Sequence, residues 1–134
     1  MVMFGFSLDG AREIIQAGWK TTTIREENPK REAAVRKSGR YDLYWKPRTK
    51  ECELIGRYPL VSMRPYDFSN PEKLSREDWC WENDHIAIDD GFENASEMLA
   101  WFWERYGITL IGKKFTIHEW DPTQPIEWEP RRVA

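Results

Sequence analysis

Cysteine, histidine and long apolar runs are scarce in this chain of 134 residues. Its two cysteines, Cys52 and Cys80, cannot build a disulfide framework, and two thiols without clustered histidine make no zinc site. A reducing compartment is the simplest reading. Apolar runs such as Ile86-Ala87-Ile88 fall far short of the ~20 residues that a membrane-crossing helix needs. The segment Met1-Val2-Met3-Phe4-Gly5-Phe6 has no basic flank and no extended apolar region, so it is expected to form a first strand and not a signal peptide. The protein is expected in the cytoplasm. No repeat, low-complexity tract or interdomain linker is visible, and the length suits one domain. Tryptophan, by contrast, is abundant, with eight residues, and 32% of the chain is charged against 40% hydrophobic, a globular balance.

The net charge of −3 is unevenly spread. Residues 12–50 hold eleven Lys or Arg against five acids, whereas residues 51–134 hold nine against seventeen. A basic first third suits an anionic ligand, and the acidic remainder argues against a protein that coats duplex DNA indiscriminately. Ordinary solvated charge accounts for the same pattern equally well.

Asp9 or Ser7 can cap a helix whose Ala11, Ile14, Ile15 and Gly18 share one face, with Gly18 as its left-handed end. Thr21 to Arg25 reads as a strand, and Asn28-Pro29 breaks it. Lys30 to Ser38 is a short basic helix closed by Gly39, and Tyr41 to Trp45 is the next strand. Lys46 to Lys50 is a polar turn, and Glu51 to Met63 makes one long strand or two, kinked near Gly56 or Pro59. Pro65 to Ser75 is expected to be a loop, and residues 76–84 a helix with Trp79 buried. Asn94 caps the clearest helix, which runs to Tyr106 with Met98, Trp101, Phe102 and Arg105 on one face. Leu99 and Trp103 widen its stripe, so it should be largely covered. Lys114 to Trp120 alternates Phe115, Ile117 and Glu119 against Thr116, His118 and Trp120, a last strand. The expected fold class is α+β, a small, strongly curved sheet or β-barrel of five to six strands with flanking helices. Residues 1–120 form the domain and residues 121–134 an extended C-terminal tail.

Gly18-Trp19-Lys20-Thr21-Thr22-Thr23-Ile24-Arg25 is the most unusual segment. Strand alternation sets Thr22 and Ile24 on one face, with Ile24 toward the core. Thr21, Thr23 and Arg25 then point together into solvent or a cleft, beside Lys20. Such a set can bind a phosphate or carboxylate, and a desolvated lysine can activate a threonine hydroxyl. Trp19 and Trp45 adjoin basic residues, in Trp19-Lys20 and Trp45-Lys46-Pro47-Arg48, and each is either a base-stacking platform or a core anchor. Residues 77–97 carry eight carboxylates and no Lys or Arg, which reads as a solvated helix face and loop, since no metal-ligand spacing is present. Asp90-Gly91 there also reads as turn chemistry. His118 shares a face with Thr116 and Trp120, which fits a hydrogen-bonded structural histidine; His85 shares no motif with it.

The order of a strand, a helix ending in Gly18-Trp19-Lys20-Thr21-Thr22-Thr23-Ile24-Arg25, and then Gly39-Arg40-Tyr41-Asp42-Leu43-Tyr44-Trp45 resembles the ASCH domain family of the PUA-like superfamily. Ala87-Ile88-Asp89-Asp90-Gly91-Phe92, followed by Glu97-Met98 and Phe102, is similar to the family's closing pattern, and Phe115 to Trp120 to its last barrel strand. The resemblance implies a β-barrel with a cleft beside the Lys-Thr-x-Thr-x-Arg segment, and RNA or a nucleoside as the partner. One branch is similar to amidohydrolases that remove acetate from N4-acetylcytidine with a Lys, a Thr and a Glu. The first two fall on Lys20 and Thr23. The acid falls at Asp90, one methylene shorter than the branch's Glu, with Glu93 as the alternative carboxylate. Lys20 would act as base toward Thr23, Asp90 would hold Lys20 or the cytosine, and Arg25 or a backbone N–H would stabilise the oxyanion. Thr21, Trp19, Trp45, Lys46 and Arg48 would contact the substrate. Another branch resembles ribonucleases, in which Lys20 and Arg25 would stabilise the pentavalent phosphorus. No cofactor or metal is implied in either version, and a non-catalytic RNA-binding or protein-interaction module uses the same cations for binding alone.

Overall fold

A computed structural model describes residues 3–68 and 75–127 of the chain. Its elements run β1 (Met3–Phe6), α1 (Ala11–Gln16), β2 (Thr22–Glu26), α2 (Pro29–Ser38), β3 (Arg40–Trp45), β4 (Glu53–Tyr66), α3 (Arg76–Asp89), α4 (Ala95–Tyr106), a 3-10 turn (Gly107–Leu110) and β5 (Phe115–Trp120). The five strands form one sheet in the order β1-β3-β4-β5-β2, with only the β1–β3 pair parallel. The sheet curls into a half-barrel with flanking helices, so the α+β reading holds at that level. Five strands are present among the described residues, and β1 and β2 are its two edges.

The curl is written into β4. Its first half, Glu53 to Pro59, pairs with β3, and its second half, from Leu60, pairs with β5. Ile55 and Val61 are extra residues without partners in the two ladders, and such bulges bend a strand and raise its twist. Pro59, which has no N–H to donate, stands at the hand-over between ladders. The kink expected near Gly56 or Pro59 is therefore present, within one unbroken strand of 14 residues. Pro65 and Tyr66 belong to that strand and not to a loop, because Pro65 pairs with Thr116 at its end. The rest of the expected loop includes residues 69–74, outside the described residues.

Local signals explain most helix ends. Asn28 Oδ1 accepts from Arg31 N–H, and Gly39 closes α2 with a left-handed φ of 70°. Asn94 Oδ1 accepts from Glu97 N–H at the start of α4. Two expectations need correction. Neither Ser7 nor Asp9 caps α1; Gly10 does, at φ 83° and without a side-chain bond. Helix α3 runs past residue 84 to Asp89, because Ile86 and Ala87 join the core and nothing breaks the helix before Gly91, at φ 95°.

Two apolar clusters lie on the two faces of the sheet. Inside the curl sit Phe4, Phe6, Tyr41, Leu43, Tyr58 and Trp120, with Ile15 from α1 and Val35 from α2. On the other face Ile24, Phe115 and Ile117 meet Trp79, Met98, Phe102 and Leu110 from the second half of the chain. The alternation of β5 does this sorting, sending Phe115 and Ile117 one way and Trp120 the other. Trp103, expected under cover on α4, is 48% exposed, since that helix buries only one side. Beyond β5, Ile126 N–H donates to the Arg57 carbonyl, which ties the described part of the tail to β4; residues 128–134 lie outside the described residues. No helix among the described residues is long and apolar enough to cross a membrane.

Candidate functional site

Gly18 adopts a left-handed φ of 79° after α1, and the chain turns back on itself there. Trp19 and Lys20 N–H both reach the Ile14 carbonyl, at 2.9 and 3.1 Å. This turn lays Lys20 against the Asp90-Gly91 turn that ends α3, where Thr21 N–H also donates to the Asp89 carbonyl. Gly91 is favoured by its left-handed φ of 95°, and a Cβ there would also stand 2.9 Å from Ile14 Cδ1, so that side chain would have to shift.

Lys20 is only 6% exposed. Its Nζ donates to the Asp90 carbonyl at 2.6 Å and the Thr22 carbonyl at 2.8 Å, and lies 3.4 Å from Asp90 Oδ1. Thr22 Oγ1 donates to the same Oδ1 at 3.2 Å. Burial lowers the pKa of Lys20 below the ordinary lysine value, against the pull of Asp90. Burial likewise raises Asp90 above the ordinary carboxylate value, against the pull of Lys20. Burial thus opposes the charged form of both groups, while each one's charge favours the other's. Of the two carboxylates considered from the sequence, Asp90 is the one beside Lys20, whereas Glu93 is exposed.

Thr23 and Arg25 share the opposite face of β2, as alternation requires. Thr23 is buried, not solvent-facing, and its Oγ1 accepts from Arg25 Nε at 3.0 Å. Arg25 Nη2 donates to the Gly5 carbonyl at 2.7 Å, so this guanidinium spans from one sheet edge to the other. Its centre is 5.0 Å from the Phe6 ring, and Lys20 Nζ is 5.7 Å from the same ring. Burial, with help from the charge of Arg31, lowers Arg25 to a pKa of about 10. Lys20 and Arg25 therefore flank one aromatic ring, and Thr23 reaches this group through Arg25 and not through a hydrogen bond to Lys20. The hydroxyl that touches the Lys20–Asp90 pair is Thr22, which the sequence reading assigned to the core face; Lys20 and Thr22 are two residues apart, the one signal that could have found it.

The other expected contacts scatter. Trp19 is 77% exposed beside Lys20, and Thr21 is half-buried. Trp45 is half-buried against the inner core, with Arg12 at 5.2 Å and Lys46 at 5.4 Å from its ring. Lys46 pairs with Glu51 at 2.7 Å, and Arg48 is exposed in the β3–β4 turn with φ 66°.

His118 is fully buried; its Nδ1 lies 3.1 Å from the Tyr41 hydroxyl and its Nε2 has no partner among the described residues. Burial, then the charge of Arg31, pushes its pKa down to about 4 from 6.5. Its contribution to stability is complete above the unfolded value and is lost as pH falls from 6.5 toward about 4, because only the unfolded chain takes up the proton in that window. The loss attributable to this residue is expected to be roughly 2–3 kcal/mol. Urea unfolding of wild type and His118→Gln between pH 7 and 4 checks this. The variant should show the shallower slope, and equal slopes would refute the assignment.

Among the described residues no group of three or more His, Cys, Asp or Glu side chains could hold a metal. Comparison with family models, curated proteins and solved structures finds no match to this chain.

Proposed function

We propose that this chain is an ASCH-like domain of the PUA-like type that holds RNA or a nucleoside at the gap between β1 and β2 and hydrolyses an acyl group there. The supporting observation is the buried Lys20–Asp90 pair beside Thr22, Thr23 and Arg25. Burial lowers the pKa of Lys20, which raises the share of neutral amine available as a base.

In the amidohydrolase form, Lys20 takes the Thr23 proton and Oγ1 bonds to the acetyl carbon of N4-acetylcytidine. Arg25 faces the oxyanion. Collapse breaks the C–N bond, and the proton on Lys20 passes to the departing N4 amine. Water then adds to the acyl-threonine, returning a proton through Lys20 and releasing acetate. Asp90 orients Lys20 throughout. Ligand binding must draw Lys20 and Thr23 together, since each is held by other partners in the free protein. A cytoplasmic setting with RNA or a modified nucleoside as partner fits this chemistry.

A second reading, a non-catalytic RNA-binding module, is favoured by the contacts of Lys20 Nζ, which serve structure equally well. Incubation with N4-acetylcytidine and mass-spectrometric detection of acetate and cytidine separates the two. Turnover supports the hydrolase. Salt-sensitive RNA binding without turnover supports the module, and cleavage of single-stranded RNA in EDTA moves the chemistry to a ribonuclease. Absence of all three defeats the reading.

A further inference from the structure

Beside Lys20 and Arg25, the inner side of β1 carries a third cation that the sequence did not single out. Arg31, in the first turn of α2, sits with its guanidinium 5.3 Å from the Phe4 ring. Arg25 approaches the same ring at 5.8 Å. Phe4 and Phe6 thus alternate with Lys20, Arg25 and Arg31 in one row along the inner side of β1.

Among the described residues neither arginine has a carboxylate within ion-pair distance, in contrast to Lys20, Arg40 and Arg57. Arg25 is held by Thr23 and Gly5, and Arg31 Nη2 by the Glu26 carbonyl at 2.9 Å. Arg31 Nε is buried with no partner among the described residues, and so is Nε2 of His118, whose ring lies 4.9 Å from Phe4. Glu26 and Glu32 temper Arg31, and Asp90 tempers Arg25, from longer range. Glu32 Oε2 is itself engaged by Asn28 N–H and the Thr116 hydroxyl. Two guanidinium groups taken partly out of water, near each other and with carboxylates only at longer range, are costly, and an anion joining them would lower that cost.

We propose that Arg25 and Arg31 form a binding site for the phosphate of a nucleotide or RNA, so that the neighbouring Lys20 site takes a phosphate ester more tightly than the free nucleoside. The base-side part of this assignment rests on the function proposed above; the phosphate site itself rests on the two arginines. Guanidinium groups suit it through forked, charge-assisted hydrogen bonds to phosphate oxygens.

The full chain is titrated at low salt with cytidine, cytidine 5′-monophosphate, the dinucleotide cytidylyl-cytidine and inorganic phosphate, following tryptophan fluorescence. At least one phosphate ester is expected to bind about tenfold or more tightly than cytidine, as charge-assisted contacts permit. A stronger monophosphate marks a terminal phosphate, and a stronger dinucleotide marks a diester. Arg31→Gln should erase the advantage and leave cytidine binding as it was. Arg31→Lys, which keeps the charge and lacks the fork, guards against a folding artefact and should lose most of the advantage. Lys37→Gln, removing one charge from the far end of the same helix, should retain it. Equal binding of cytidine and both esters, or an advantage that survives Arg31→Gln, overturns the proposal while leaving the nucleoside reading intact. Phosphate binding that depends on Arg31 without any cytidine binding supports the phosphate site and removes the nucleoside reading. No binding of any probe overturns both.

Discussion

Lys20→Ala is expected to abolish acetate release from N4-acetylcytidine, a loss of about 10²–10⁴-fold or more, the range a positioned acid–base group supplies. Thr23→Ala should do the same if its oxygen is the nucleophile. Lys20 is also structural, so activity must be separated from folding. Removing one partner of a buried ion pair costs about 3–5 kcal/mol, because the other charge is left unpaired in a dry site. Lys20→Ala leaves the Asp90 carboxylate, its carbonyl and the Thr22 carbonyl without their ammonium donor. Asp90→Ala leaves the ammonium without its carboxylate and Thr22 Oγ1 without its acceptor.

The double variant Lys20→Met/Asp90→Asn removes both charges, keeps similar volumes and leaves an amide oxygen for Thr22. It should unfold at higher urea than either single variant while remaining inactive. Urea denaturation beside the acetate assay reads both quantities. Full turnover by well-folded Lys20→Ala or Thr23→Ala would remove the proposed chemistry. Single variants as stable as wild type would remove the energetic role of the pair.

Trp120→Ala should be the most damaging substitution in the inner core. Trp120 is 1% exposed and its ring lies 6.0 Å from Tyr41, 6.4 Å from Phe6 and 6.5 Å from Tyr58. Truncating a buried tryptophan costs about 3–5 kcal/mol, the lost transfer free energy plus the cavity left behind. For a domain of this size that corresponds to roughly 10–20 °C in Tm. Trp120→Phe should cost much less, because the indole Nε1 is buried without a partner and its removal breaks no hydrogen bond.

Met98→Ala, in the cluster on the other face, should add to Trp120→Ala within about 0.5 kcal/mol, since the two side chains belong to separate clusters. Thermal and urea unfolding of the two single variants and the double variant check these values. A Trp120→Ala protein within about 1 kcal/mol of wild type would contradict the packing described.

The legible parts of the fold are those whose causes lie within a few residues. The helix caps Gly39 and Asn94 act on the adjacent turn, so the end of α2 and the start of α4 could be placed from their neighbours alone, whereas Asn28, read only as a strand break, also caps α2. The two faces of β5 follow from a period of two residues. The reading failed where a local signal met a long-range partner. Pro65 resembles a strand breaker, yet β4 carries it, because it pairs with Thr116 of β5. Trp103 extends the apolar stripe of α4 but stays 48% exposed.

The candidate site divides in the same way. Lys20, Thr23 and Arg25 lie within six consecutive residues, so their grouping needed only the sequence, whereas the contact of Thr22 with Asp90 did not show there. The choice of Asp90 over Glu93 as the carboxylate beside Lys20 joins positions 70 residues apart, and no spacing rule reaches that far. The meeting of Arg31 with Arg25 over Phe4 likewise depends on how the half-barrel curls its edges together. Side-chain facing is set by backbone geometry within one element, so the amino-acid order alone determined it. Which elements become neighbours is set by burying two apolar clusters on opposite faces of one sheet, and only the tertiary structure decided that.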